Sequence, residues 1–454
     1  MSSRARNSYI NHTQKNQIST SRIATEVNSI SNALTNLRRF LHAFVIIALI
    51  AGQAVDANAQ YSQKSAQSVQ TEIPVALAGF AYAGAESTIS LRFPHTARYE
   101  QMMTRANTSV FKKIDSGIKA MPPTNFTIVD QIDELKGRDQ ALAVALVVGS
   151  ETVVVEQLGS MYKLLALIRG QAMFFDFKSM NVVRTYPISF AYVDLFNQPP
   201  TEQEIASRVQ MVYEGAGGKP GIISRFVHTV SRANIPTNVP RFVQVTSAQI
   251  APEALEHLPS FIKSNPGSSE MWLADIVGEA ISTRMSIPIV PFSKGYAVGN
   301  VMSMRVSDGK VWELKLPQPD YEISVDLTGL KKIKISEVVG GATSFVYGAY
   351  ANLRIEDALK KGLNTGLKNG ETRVIPASQR FVDDFPHFYD AINGMFTKVA
   401  LSMSTQASHG NGTESTGTTT EAASQAAQWL KTAASAKDIG QQVDRVRNML
   451  LTSR

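Results

Sequence analysis

The run Ala141-Leu-Ala-Val-Ala-Leu-Val-Val148 is unbroken apolar sequence, and its length sets the reading of the chain. Eight residues fall far short of the ~20 that cross a bilayer as a helix. An apolar run this short, without polar alternation, suits a strand covered on both faces. It predicts the central strand of a sheet. Strand-like segments crowd around it: Phe126 to Val129, Thr152 to Glu156, Tyr162 to Ile168, Met173 to Phe177 and Val182 to Tyr186, with a turn at Lys178 to Asn181.

Helical patterns flank this strand-rich centre. Tyr99, Met103, Ala106, Val110, Ile114 and Ile118 recur at spacings of three and four, which predicts one amphipathic helix ending before Pro122-Pro123. Glu202 and Glu204 stand in the first turn of a helix over Thr201 to Tyr213, and a further helix runs from Ile222 to Arg232. After Pro236 and Pro240 the layout begins again: a strand at Phe242 to Thr246, then a helix carrying Trp272, Leu273, Ile276, Val277, Ala280 and Ile281. Ser307-Asp308-Gly309 separates two alternating segments, a strong hairpin signal. Further strands are expected at Tyr321 to Leu327, Lys332 to Ser336 and Ser344 to Ile355, and a helix at Asp384 to Met403.

Both halves thus mix helices with antiparallel ribbons, which argues for an α+β fold over a doubly wound sheet. The expected order is an α+β domain over 73–238, a second over 239–403, a Ser/Thr/Gly-rich linker over 404–420 and an amphipathic C-terminal helix over 421–454.

The amino-terminal 59 residues read as a leader. Arg38-Arg39 precedes an apolar core of about 12 residues, Phe40 to Ala51, and an A-x-A site at Ala57-Asn58-Ala59. Cleavage is expected between Ala59 and Gln60, followed by a flexible mature terminus over 60–72 and export to the periplasm or the cell exterior. Six of the 45 basic residues (Arg4, Arg6, Lys15, Arg22, Arg38, Arg39) and two of the 38 acidic ones (Glu26, Asp56) precede Gln60. The rest of the chain is left with 39 positive against 36 negative charges. With short basic clusters and no interleaved aromatics, this balance argues against a nucleic-acid partner. The absence of cysteine excludes disulfides, thiolate catalysis and Cys-based metal sites.

Chemistry-bearing motifs are sparse. Glu214-Gly-Ala-Gly-Gly-Lys-Pro-Gly221 departs from a phosphate-binding loop at Tyr213, where glycine is needed, and at Pro220, where Ser or Thr is needed. His95, His228 and His257 stand alone, and neither G-x-S-x-G nor H-E-x-x-H occurs. One local cluster sets acids around a histidine: Asp383, Asp384, His387 and Asp390. On a helix, Asp383, His387 and Asp390 would share a face and form a metal or acid-base site; the alternative is the ordinary preference of acids for a helix start. No cofactor is implied.

At the C-terminus Trp429, Val443 and Leu450 fall on a heptad-like seam with Ile439 and Val446. That stripe is expected either to hold an envelope protein or a second copy of the chain, or to fold back on its own domain. Lys331, Lys332 and Lys334, with Arg354 and Lys360-Lys361, form either a basic face for lipid headgroups or acidic polymer, or a solvated strand face. No integral span is expected in the mature chain. The resulting expectation is an exported bacterial envelope protein that works by protein-protein association. The alternative is an exported hydrolase with a dispersed active site involving His387 and Asp383.

Overall fold

The computed structural model describes residues 73–404 and 439–454, apart from residues 85, 130–131, 136, 138–139, 236–240, 264–266, 293–300, 307–309 and 380–381. The leader, residues 60–72, the linker and Trp429 lie outside the described residues. Thr71–Arg454 form one compact unit.

The chain order is β1 (Pro74–Ala83), α1 (Glu86–Arg92), α2 (Pro94–Arg105), α3 (Val110–Ala120), β2 (Thr127–Val129), β3 (Leu142–Leu158), β4 (Met161–Asp176) and β5 (Asn181–Phe196). It continues with α4 (Glu202–Glu214), the short β6 (Gly215–Ala216) and β7 (Lys219–Pro220), α5 (Ile222–Arg232), β8 (Val243–Ile250), α6 (Pro252–Leu255), α7 (Ser260–Lys263) and α8 (Ser268–Met285). Next come β9 (Val301–Val306), β10 (Val311–Lys315), β11 (Tyr321–Glu337), β12 (Ala342–Asp357), β13 (Gly362–Pro376), α9 (Phe385–Ser404) and α10 (Ile439–Leu451). Mixed sheets with packed helices make this the expected α+β fold.

The apolar run at 141–148 is a central strand. In β3 it lies parallel to β1 on one side and antiparallel to β4 on the other, and residues 141–148 are all buried. Its two faces feed two cores: Val144, Leu146 and Val148 face α3, α4 and α5, whereas Ala143, Ala145 and Val147 face the second sheet. The seven strands run β2-β1-β3-β4-β5-β10-β9, and β9 also pairs with the end of β1. Strands β1-β3-β4-β5-β10-β9 therefore join into a ring, closed between β5 and β10 by the single pair Asn181–Lys315.

The second sheet runs β13-β12-β11-β8, with β8 parallel to β11 and the other pairs antiparallel. One face packs on α8, α9 and α10 around Ile323, Val325, Leu353 and Ile355. Strands β9 and β10, from the half assigned to a second domain, belong to the first sheet. The 238/239 division therefore follows the chain rather than the sheets.

Three local expectations change. The helix read across Tyr99 to Ile118 is two: Asn107 takes a positive φ of 56° after α2, and the Ser109 side chain accepts the Lys112 N–H to start α3 anew. Segments read as separate strands are single long ones, because the polar residues between them stay in the ladder; in β4 these, Arg169 and Gln171, are buried. β13 was not expected at all: its Gly362, Gly366 and Gly370 and its polar outer face conceal an alternation in which Leu363, Thr365, Leu367 and Asn369 are buried.

Candidate functional site

The acid-histidine cluster sits where α9 begins, between the far halves of the two sheets. Asp383 precedes the helix and accepts the Phe385 N–H at 3.2 Å, which is helix-start chemistry. Its carboxylate also pairs with Lys163 on β4, whose ammonium lies 2.6 Å from Glu156. Burial opposes the Lys163 charge, but its hydrogen bonds with Asp383 and Glu156 outweigh it and hold the pKa above the ordinary value. Asp384 takes hydrogen bonds from the Lys332 ammonium at 2.8 Å and the Tyr347 hydroxyl at 2.6 Å. Lys332 also stands over the Phe345 ring at 4.6 Å.

His387 accepts from Arg373 Nε at 3.3 Å through Nδ1, and Arg373 also donates to Asp390 at 2.8 Å. Burial first, and then the Arg373 charge, push the imidazole pKa down. The three acids thus address three different cations on β4, β11 and β13. Among the described residues no three His, Cys, Asp or Glu side chains converge to hold a metal. Asp383 and His387 do not share a proton path either, since each is bonded to a different base. The arrangement is a clasp that ties both sheets to α9.

The C-terminal seam is enclosed by its own chain. Ile439, Val443, Val446 and Leu450 are all buried, in the core formed with β13 and α9. Arg447 donates to the Met403 and Ser402 carbonyls at 2.9 and 3.0 Å, and Arg454 to the Met285 carbonyl at 2.6 Å. The two arginines satisfy free carbonyls at the ends of α9 and α8. The fold-back alternative is the one the structure displays, and these four residues are not available for docking.

The glycine-rich segment at 214–221 closes as the β6–β7 hairpin, with Gly217 and Gly218 at positive φ. The expected basic face divides in two: Lys331, Lys332 and Lys334 lie near the β11–β12 turn, whereas Arg354, Lys360 and Lys361 lie near the β12–β13 turn at the other end of the sheet. With Arg445 of α10 the latter group lines an open cleft of about 600 Å³. Lys360 in that cleft pairs with Glu356 at 2.9 Å.

Two buried polar clusters left no sequence signature, because their members are dispersed. At one end of β1, Tyr82 donates to Glu100, Tyr99 to Glu214 at 3.0 Å, and the Glu151 carboxylate caps α2 through the His95 and Thr96 N–H groups at 2.9 and 2.7 Å. Burial raises the pKa of Tyr82, Tyr99 and Tyr213 and holds all three protonated, the first two as donors to carboxylates. The second cluster surrounds Arg169, which is 7% exposed and 3.9 Å from Asp275, with an Nε that has no hydrogen-bond partner. Its cavity, lined by Gln171, Ser189, Glu279 and Pro291 among others, measures about 40 Å³. A water needs about 10–15 Å³ of such space, so the site has room for a few waters.

What the strands leave in water is larger. Among the described residues, eight of the fourteen exposed large apolar side chains lie on the far halves of the sheets: Val155, Val193 and Leu195 on the first, and Ile333, Ile335, Val338, Val339 and Val374 on the second. Beyond Thr185, whose carbonyl accepts the Ile289 N–H at 2.9 Å, β5 has a described ladder partner on the β4 side only, so Val193 and Leu195 stand on an edge strand, where the Leu195 N–H is bonded to the Asp194 carboxylate at 2.9 Å. No described helix is long and apolar enough to cross a membrane. The chain matches no protein-family model and no curated protein.

Proposed function

We propose that the chain is an exported protein of the bacterial cell envelope that works by association with a partner protein, not by catalysis. The observation that carries this reading is the open β5 edge with Val193 and Leu195 about half exposed. An isolated exposed apolar residue needs no explanation, but apolar side chains along an unpaired strand edge favour addition of another strand. Here Arg208 pairs with Asp194 at 2.8 Å and stands over the Phe196 ring at 5.3 Å, so the edge is held in place by α4. Export is supported by Arg38-Arg39, the apolar core Phe40 to Ala51 and the Ala57-Asn58-Ala59 site. Cleavage after Ala59 would leave the compact unit Thr71–Arg454 whole.

The test is a photo-crosslinking amino acid at Leu195, with a control at the more exposed Leu91 on α1, in the full chain expressed in bacteria. The expected result is a discrete protein adduct at 195 and none at 91, in the envelope fraction, on a chain whose mass starts at Gln60. Adduct-free protein at both positions, or accumulated protein that retains Met1 in the cytosol, overturns the reading.

A further inference from the structure

The β11–β12 turn is a second surface, and its chemistry differs from that of the β5 edge. Gly341 N–H donates to the Val338 carbonyl at 2.8 Å, and Gly340 sits at φ +72°. Val338 to Gly341 is therefore a type II turn with glycine at the position that requires positive φ. This geometry places Val339 outermost, where it is 99% exposed, beside Val338 at 66%. Turn formation needs only the glycine. Nothing in the fold asks for two valines at the tip.

The strand register extends the apolar surface backwards. Tyr347 faces α9, so its neighbour Val346 and the cross-strand Ile333 point to the opposite, outer face. Val374, across from Ser344, joins them on that face, and Ile335 lies in the bulge between Lys334 and Ser336. Directly behind this patch stand Lys331 and Lys368, which flank Tyr350; the Lys331 ammonium is 5.6 Å from its ring. Neither lysine forms an ion pair with a described residue, unlike Lys332 and Lys334, which are matched by Asp384 and Glu337. The outer face is thus graded: apolar at the tip, uncompensated positive charge next, mixed polar residues beyond.

We infer that the outer face of the β11–β12 hairpin docks on an anionic lipid surface, with Val338, Val339, Ile335 and Ile333 entering the headgroup boundary and Lys331 and Lys368 meeting lipid phosphates. Apolar side chains backed by long basic ones match the order of acyl and headgroup layers, and lysines at that level carry their charge to the interface. A protein partner would need acids to meet those two lysines. The inference does not depend on the β5 edge, and it is measured without any partner protein.

The cysteine-free chain permits a direct test. Val339→Cys in the full chain is labelled with an environment-sensitive fluorophore, as is Leu359→Cys, 72% exposed at the β12–β13 turn of the same sheet. Each is mixed with phosphatidylcholine vesicles and with vesicles containing about one third phosphatidylglycerol. The leader core Phe40 to Ala51 is common to both proteins, so only the local signal counts. A blue shift and quenching by lipid-borne nitroxide are expected at 339 with anionic vesicles and not at 359. Adding Lys331→Glu and Lys368→Glu is expected to lower the apparent partition at 339 about tenfold or more. An unchanged signal at 339, an equal shift at 359, or a crosslink from 339 to a protein in envelopes overturns the inference.

Discussion

At the scale of single residues the most informative side chain is His387, because its surroundings make it a sensor of stability. Its Nδ1 accepts from Arg373, which requires the neutral ring, and burial followed by the Arg373 charge lowers its pKa from the ordinary 6.5. The unfolded chain therefore takes up a proton that the folded chain refuses. Stability is full above about pH 6.5 and declines as pH falls below it. His387→Gln keeps an acceptor for Arg373 and removes the proton. Urea midpoints at about pH 7.5 and about pH 5.5 are expected to differ less in the variant than in the wild type; an identical pH dependence would refute the assignment. The residues that make this environment, Arg373 and Tyr347, lie on β13 and β12, outside the segment that carries the acids and the histidine. Sequence reading found the acids and the histidine. It could not find their cations.

Among the secondary elements, α10 decides between two uses of one apolar stripe. Heptad-like spacing identifies Ile439, Val443, Val446 and Leu450 as a buried face but is silent on what buries it. The structure supplies β13, an element whose own pattern is obscured by glycines, so the partner was invisible for the same reason the strand was. Leu450, fully buried, is expected to cost about 3 kcal/mol as Leu450→Ala, seen as a lower urea midpoint with unchanged assembly mass. A stability effect near zero with a change in mass would return the helix to a docking role. The apolar run at 141–148 shows the opposite case: a strand covered on both faces is legible because every residue in it must be apolar. The long strands were legible only in pieces. The breaks between those pieces, at 149–151, 169–172 and 328–331, are positions within continuous ladders: Glu151 pairs with Ile168, Arg169 with Ser189 and Lys331 with Gly348.

For the whole molecule, the α+β fold holds one end of each sheet in a shared core and projects the other ends into solvent with apolar side chains attached. At Arg169 the cavity is water-sized, and at the end of β1 Tyr82 and Tyr99 donate to Glu100 and Glu214. An account by association uses the features that folding leaves unexplained, Leu195 on the open β5 edge and Val339 at a turn tip. The claim that these surfaces are occupied at the cell envelope is tested most directly by thiol accessibility. Leu195→Cys, Val339→Cys and Leu359→Cys, each the sole cysteine of its chain, are treated with a bulky hydrophilic maleimide as purified protein and in envelopes with a permeabilised outer membrane. The account predicts comparable labelling of all three when purified, and protection of 195 and 339 but not 359 in the envelope. Equal labelling of all three in both settings would contradict it.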